Sequence, residues 1–152
     1  MLSCGNYAMK YTSDISIKLP RKRVIELFDN PDNLSKWQLG LKSYTQMEGK
    51  AGQEGSSSKM IYAGRKSDLV ITEEVKRRNF PELYSVSYKS KGVYNEIINY
   101  FSEPEPGQTI WKIVNVFRFR GMMALMAPFM KTAFTSNTIL NMERFKAFAE
   151  AH

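Results

Sequence analysis

The chain has 152 residues, of which 43% are hydrophobic and 12% aromatic, and its formal charge is +7. These values are typical of one globular domain, which we expect to span residues 1–152 with its core between about 10 and 150. The single cysteine, Cys4, and the single histidine, His152, exclude an internal disulfide framework, a histidine-based nucleophile pair and a zinc site, so no cofactor and no metal are expected.

The first part of the chain predicts a strand followed by two short helices. Apolar residues alternate through a strand at 9–19, which Pro20 ends. The apolar spacing changes to that of a helix over 21–28. Pro31 is suited to the first turn of a second short helix, which reaches Trp37.

Strand patterns then continue almost without interruption to Arg120. We predict six strands, at 41–48, 57–64, 67–78, 82–91, 93–103 and 108–120. Their connections are short and rich in glycine, proline and asparagine, which favours antiparallel neighbours because parallel crossovers need a dozen residues or more. Residues 121–150 predict the one helix long enough to cover a face of this sheet, and the fold class is therefore α+β.

Strand alternation carries several polar side chains to the face that the long helix covers. They are Glu73, Asn95, Asn99 and Asn115, and they share that face with Trp111 and Phe117. An unpaired buried polar group costs about 1–3 kcal/mol, so several of them on one apolar face favour a ligand cavity over a solid core. Two alternatives stay open: the amides bond one another or the backbone of a bulge, and Glu73 lies near a sheet end in water.

The long helix begins with a run of methionines. Met123, Met126, Met130 and Phe134 recur at helical spacing and are expected to face the sheet. The unbranched thioether repacks easily, which suits a wall that adapts to a bound apolar molecule. The alternative is that these methionines are ordinary core residues.

The order of these elements, with the stretch LFDNPDNLSKW at 27–37 and the helix at 121–150, resembles the START-like or SRPBCC superfamily, and most of all its bacterial polyketide cyclase/dehydrase-type members. The resemblance covers the chain from about Lys10 to Glu150. It implies a helix-grip fold like that of the birch-pollen allergen, in which a curved seven-stranded antiparallel sheet wraps the C-terminal helix around a deep apolar cavity. Trp37 matches a tryptophan often found near the cavity mouth in such proteins.

Two functions are consistent with such a cavity. In the first, the protein binds an apolar small molecule, such as a lipid, an isoprenoid or an aromatic polyketide, as a carrier or sensor. In the second, it is a cyclase or dehydratase without a metal, in which Glu73 is the acid/base and Tyr62 or Tyr88 orients the substrate. We favour binding because the sequence offers no convincing catalytic constellation. The predicted ligand-binding residues are Trp37, Met60, Tyr62, Glu73, Tyr88, Asn95, Asn99, Trp111, Asn115, Phe117, Met123, Met126, Met130 and Phe134.

The positive charge does not by itself indicate nucleic-acid binding. The basic residues form only short groups, at 21–23 and 76–78, and no recognition-helix signature or aromatic–basic repeat accompanies them. The uncharged apolar run at 121–130 is too short to span a bilayer, although transient contact with a membrane surface is compatible with it. We see no secretory leader and expect a cytoplasmic protein, either a monomer or a homodimer.

Overall fold

The computed structural model describes residues 5–152, so that Cys4 lies outside the described residues. The elements are β1 (Asn6–Ile17), α1 (Arg21–Phe28), a 3₁₀ turn (Pro31–Asn33), α2 (Leu34–Trp37), β2 (Leu41–Glu48), β3 (Ser57–Tyr62), β4 (Leu69–Asn79), β5 (Leu83–Ser90), β6 (Val93–Glu105), β7 (Gln108–Arg120) and α3 (Met122–Glu150). All nine predicted strands and helices before α3, and α3 itself, are present, and their ends differ from the prediction by at most a few residues.

The seven strands form one antiparallel sheet in the order β1-β7-β6-β5-β4-β3-β2. The helix pair α1–α2 connects β1 at one edge to β2 at the other, and every later strand pairs with its predecessor. Register shifts interrupt β2–β3, β4–β5 and the end of β6–β7, and such irregularities increase strand twist. This topology confirms the predicted α+β helix-grip fold.

The long helix α3 packs against β1, β7 and α2. Its C-terminal half contributes Met142, Phe145 and Ala149 to a core that includes Trp37 and Trp111. Its N-terminal half contributes Ala124 and Ala127 to a second cluster, around Phe117 and Phe119. The helix therefore closes both ends of the sheet's inner face with different side chains.

The prediction that Met126 faces the sheet is wrong, since its side chain is 49% exposed. The buried positions of this part of the helix are Ala124 and Ala127, while Met123 and Met130 are partly buried. A step of three residues falls about 60° short of a full helical turn, so Met126 is rotated from the Met123 direction towards solvent. Pro128 lies inside α3, and the helix continues through it.

An ion pair holds the end of α1 against the sheet. The guanidinium of Arg78 donates from Nη1 to Asp29 Oδ1 at 2.8 Å and from Nη2 to Asp29 Oδ2 at 2.5 Å, and Nη1 also donates to the carbonyl of Gly52 at 2.9 Å. Such a bidentate pair fixes orientation as well as distance. Phe28, the neighbour of Asp29, packs edge-to-face against the rings of Phe101 and Trp111.

Within residues 5–152, no helix has both the length and the apolar character needed to cross a membrane.

Candidate ligand cavity

A cavity of about 670 Å³ lies between the inner face of the sheet and α3. Strands β2 to β7 supply one wall, α3 supplies the other, and the end of α1 with α2 closes one side. The volume falls within the roughly 300–1,000 Å³ of sites that hold small organic molecules.

Most of the cavity surface is apolar. Its aromatic and aliphatic lining residues come from both walls: Phe28, Leu34, Trp37, Leu39, Leu69, Ile71, Val86, Val93, Ile97, Trp111, Ile113, Phe117, Met123, Met130, Phe134 and Met142. A molecule that occupies the cavity would bury apolar area against them, and each Å² buried is worth about 25 cal/mol before the costs of binding.

The cavity opens to solvent between α3 and two loops of the sheet. Exposed residues of its lining lie at this rim: Leu39, Gly40, Ala63, Leu69, Lys91 and Asn137. Trp37 lies deeper than the resemblance implied, because it is only 5% exposed and packs against Phe28 and Phe145. The rim begins two residues later, at Leu39.

A carboxyl group lies in the sheet wall of the cavity. Glu73 in β4 stands directly opposite Ser58 of β3 and Tyr88 of β5 in the register of the sheet. The hydroxyl of Ser58 donates to Glu73 Oε1 at 3.2 Å. Burial raises the pKa of Glu73 above its ordinary value, while hydrogen bonds from Tyr88 and Ser58 oppose the shift. The Glu73 carboxyl is therefore poised to hold a proton, or to pair with a cation, inside an apolar cavity.

Three tyrosines surround this carboxyl and stay protonated. Burial, followed by the negative charge of Glu73, raises the pKa of Tyr62, of Tyr84 and, most strongly, of Tyr88. The hydroxyl of Tyr62 donates to Gln38 Oε1 at 2.7 Å and so ties β3 to the segment after α2. Gln38 and Glu73 thus take the single hydroxyl hydrogens of Tyr62 and Tyr88, whose oxygens can accept hydrogen bonds from a ligand. Near neutral pH none of the three phenols can act as a phenolate base.

The three asparagines on the inner face are buried, as predicted, and most of their hydrogen bonds are structural. Asn99 donates to the carbonyl of Tyr84 at 3.1 Å and accepts from Trp111 Nε1 at 2.9 Å. Asn95 donates to Asn115 Oδ1 at 3.3 Å and to the backbone carbonyl at 116 at 3.2 Å. The alternative in which the amides bond one another or a bulge's backbone therefore holds in part: Asn95 bonds Asn115, the backbone partners lie in regular strands, and the Asn115 Nδ2 group has no hydrogen-bond partner within the described residues.

Eleven of the fourteen predicted ligand-binding residues line the cavity, and Met60, Asn115 and Met126 do not. Met60 is fully buried between Tyr44 and Ile71, its neighbours in the sheet register, which line the cavity in its place. Asn115 is 1% exposed and is held by Asn95. Met126 points outwards from α3, as described above. For these three, the predicted positions in the cavity wall are wrong.

Several further residues line the cavity, and the alternation and helical spacing of the sequence already indicate them. Tyr84 and Val86 share the strand parity of Tyr88, and all three line the cavity. Asn137 and Asn141 lie one turn apart on α3 and also line it. They fall on the helix face that contains Phe134, so a helical projection anchored on Phe134 would have included them.

Among residues 5–152 no group of three or more histidine, cysteine or acidic side chains is placed to hold a metal ion. The polar groups in the cavity lining are carboxyls, phenols, amides, the hydroxyls of Ser90 and Thr138, and the ammonium group of Lys91. They can donate and accept hydrogen bonds and exchange a proton through Glu73.

The same fold occurs in solved structures of known proteins. The aromatase/cyclase Zhui from a Streptomyces species matches with a TM-score of 0.81 and 10% identity, covering 95% of this chain and 94% of that chain. Ara h 8.0201 matches with a TM-score of 0.76 and 9% identity over 96% of this chain and all of the other. Norcoclaurine synthase from Thalictrum flavum, in complex with dopamine and hydroxybenzaldehyde, matches with a TM-score of 0.70 and 10% identity over 97% and 89% of the two chains.

These structures confirm the predicted resemblance at the level of the fold: the chain has the helix-grip fold of START-like/SRPBCC proteins. No protein-family profile matches the sequence. A comparison with curated proteins finds no match either. Proteins of this fold include both cyclases or synthases and a protein such as Ara h 8.0201, so the function must be argued from the cavity itself.

Proposed function

We propose that this protein binds an apolar small molecule in the cavity between the sheet and α3 and acts as a carrier or sensor of it. The observation that carries the proposal is the cavity of about 670 Å³ with a largely apolar lining and a few convergent polar groups. Lipids, isoprenoids and aromatic polyketides all have the apolar area that such a wall favours.

The polar groups of the cavity restrict the ligand further. Glu73 and the protonated tyrosines around it offer one carboxyl and several hydroxyl oxygens on the sheet wall, while Gln38 and Glu73 already take the hydroxyl hydrogens of Tyr62 and Tyr88. Within the described part of the chain, the indole N–H of Trp37, which lies in the cavity lining, has no protein partner. An apolar skeleton with a carbonyl or hydroxyl oxygen could accept from the Trp37 N–H, whereas a pure hydrocarbon would leave that N–H unpaired at a cost.

Binding is tested by titration with an apolar dye that fluoresces in dry pockets, combined with native mass spectrometry of freshly purified protein. The dye should bind saturably, and a fatty acid, an isoprenoid alcohol or a polycyclic phenol should displace it if that class fits. Native spectra should contain an adduct of one small molecule per chain. Dye binding that does not saturate, or that no apolar competitor displaces, would contradict a ligand cavity.

The second candidate function is a metal-free cyclase or dehydratase, which the position of Glu73 specifically favours. A carboxyl with a raised pKa beside protonated phenols is the arrangement that acid/base catalysis on a carbonyl compound needs. A polyketone substrate analogue should then be converted by the wild-type protein and not by Glu73→Gln, while both bind it. Binding without turnover in the wild type would leave the carrier function.

A further inference from the structure

We propose that the cavity mouth and the outer face of the first turns of α3 together form a docking surface for an anionic lipid membrane. Three observations support this: the exposure of apolar side chains, the distribution of charge, and their common position in the fold. The proposal does not depend on which molecule the cavity holds.

The first observation is an apolar stripe on the outer face of α3. The stripe consists of Met122, Leu125, Met126 and Phe129, which are 71%, 66%, 49% and 90% exposed. Their spacing of three and four residues places them along one side of the helix, opposite Ala124 and Ala127, which are buried. The first turns of α3 are thus apolar on both sides, and a helix that is apolar all round is normally covered.

The second observation is that the stripe lies at the same end of the sheet as other exposed apolar residues. In the sheet register, Leu69 pairs with Tyr62, and Val93 pairs with Phe119. The β3–β4 loop, the β5–β6 turn and the start of α3 therefore meet at one end. Leu39, Leu69 and Val70 lie at this end and are 44%, 48% and 48% exposed. Met123, next to the stripe, and Leu69 both line the cavity, so exposed apolar residues stand on two sides of its mouth.

The third observation is that the excess positive charge of the chain is concentrated in the same place. Residues 63–68, 89–92 and 118–142 contain seven basic residues and one acidic residue, out of 22 basic and 15 acidic residues in all. The rest of the chain is nearly neutral. The seven basic side chains are exposed, and we call them the basic rim because they lie towards the same end of the fold as the apolar stripe: Arg65, Lys66, Lys89, Lys91, Arg118, Arg120 and Lys131. Lys89, Arg118 and Arg120 alternate with inward-facing residues and so lie on the outer face of the sheet at that end.

Exposed apolar side chains near a group of lysine and arginine residues fit the interface of an anionic bilayer. The stripe would enter the boundary between headgroups and acyl chains, while the basic rim meets the negative headgroups. A second copy of this chain is a poorer partner, because two basic rims would then face each other in the contact. Docking in this orientation turns the cavity mouth towards the membrane.

The test is flotation of the full chain with vesicles of phosphatidylcholine alone and of phosphatidylcholine mixed with phosphatidylglycerol in equal parts. The wild type should bind the anionic vesicles, bind the neutral vesicles weakly, and dissociate as salt is raised. Phe129→Ser should weaken binding about tenfold or more, since a bulky aromatic side chain no longer enters the bilayer. The matched control is Met47→Ser, because Met47 is 59% exposed at the other end of β2 and should not affect binding.

The basic rim is tested separately with the double variant Lys66→Gln, Lys131→Gln. Each neutralised charge should weaken binding to the anionic vesicles about fivefold. The control replaces Lys59 and Lys112, which are exposed on the outer face of the sheet, with Lys112 near the end of β7 opposite to Arg118 and Arg120. Dye binding in the cavity should stay unchanged in every variant, so a failure of docking is distinguishable from a failure of ligand binding.

Three results would overturn the proposal. The first is no binding to anionic vesicles, or equal binding to both vesicle types. The second is an equal loss in the stripe variant and in the Met47 control. The third is a stable dimer in sedimentation velocity that Phe129→Ser dissociates, without vesicle binding, which would assign the stripe to a second copy.

Discussion

Replacement of Glu73 by glutamine tests whether the cavity wall holds a desolvated carboxyl. Glu73 lies between Ser58 and Tyr88, and burial raises its pKa above the ordinary value of 4.5. At pH values between 4.5 and the folded pKa, the folded state therefore binds more protons than the unfolded state. The free energy of unfolding of the wild type then falls as pH rises through that interval. The total fall is about 1.4 kcal/mol for each unit by which the folded pKa of Glu73 exceeds 4.5.

The glutamine variant carries no titrating group at this position and should not show that loss. Below pH 4.5 the carboxyl is protonated in both states, so the variant and the wild type should differ by about 1 kcal/mol or less, the worth of one altered hydrogen bond. As pH rises above 4.5 the variant should become progressively more stable than the wild type. The difference should stop growing once pH passes the folded pKa of Glu73.

Urea unfolding at a series of pH values from about 4 to 8 measures this difference directly. The control is Glu74→Gln, on the same strand but the opposite face, where the carboxylate pairs with Lys76 at 3.2 Å in a half-exposed position. That surface pair should contribute under about 1 kcal/mol. Parallel stability curves for the wild type and Glu73→Gln would refute the reasoning, because they would mean that the carboxyl is solvated in the folded protein.

Three further predictions follow from the cavity and its walls. Met130→Trp should fill part of the cavity and weaken dye binding at least tenfold, whereas Met126→Trp, which changes a solvent-facing position, should leave it unchanged; fluorescence titration of both variants checks this. Asn99→Ala leaves the buried indole N–H of Trp111 without its acceptor, so the free energy of unfolding, measured by urea titration, should fall by about 1–3 kcal/mol. An unchanged free energy of unfolding would mean that water replaces the amide as acceptor. Amide exchange in residues 122–130 should be faster than in the second half of α3, because Pro128 removes a backbone hydrogen-bond donor there, and it should slow when a cavity ligand is added. Uniform exchange that does not respond to ligand would mean that the ligand enters the cavity elsewhere.

The amino-acid sequence by itself determined the order of the elements and the face to which most side chains point. Alternation along β6 and β7 is a local property, and it correctly placed Asn95, Asn99 and Trp111 on the buried face of the sheet. The apolar spacing after Gly121 likewise established the long helix. Such patterns are readable because burial of one face is imposed residue by residue along each element.

Only the tertiary structure decided which of these inward residues border the cavity. Asn115 points inwards but is held by Asn95 from the neighbouring strand, and Met60 is enclosed by its register partners. The environment of Glu73 depends on Ser58 and Tyr88, which are distant in sequence and meet it only through strand pairing. The exact phase of α3 against the sheet, which turns Met126 out, was fixed in the same way. Pairing register and helix rotation are set by the packing of the whole chain, because a one-residue slip or a small rotation changes every contact at once.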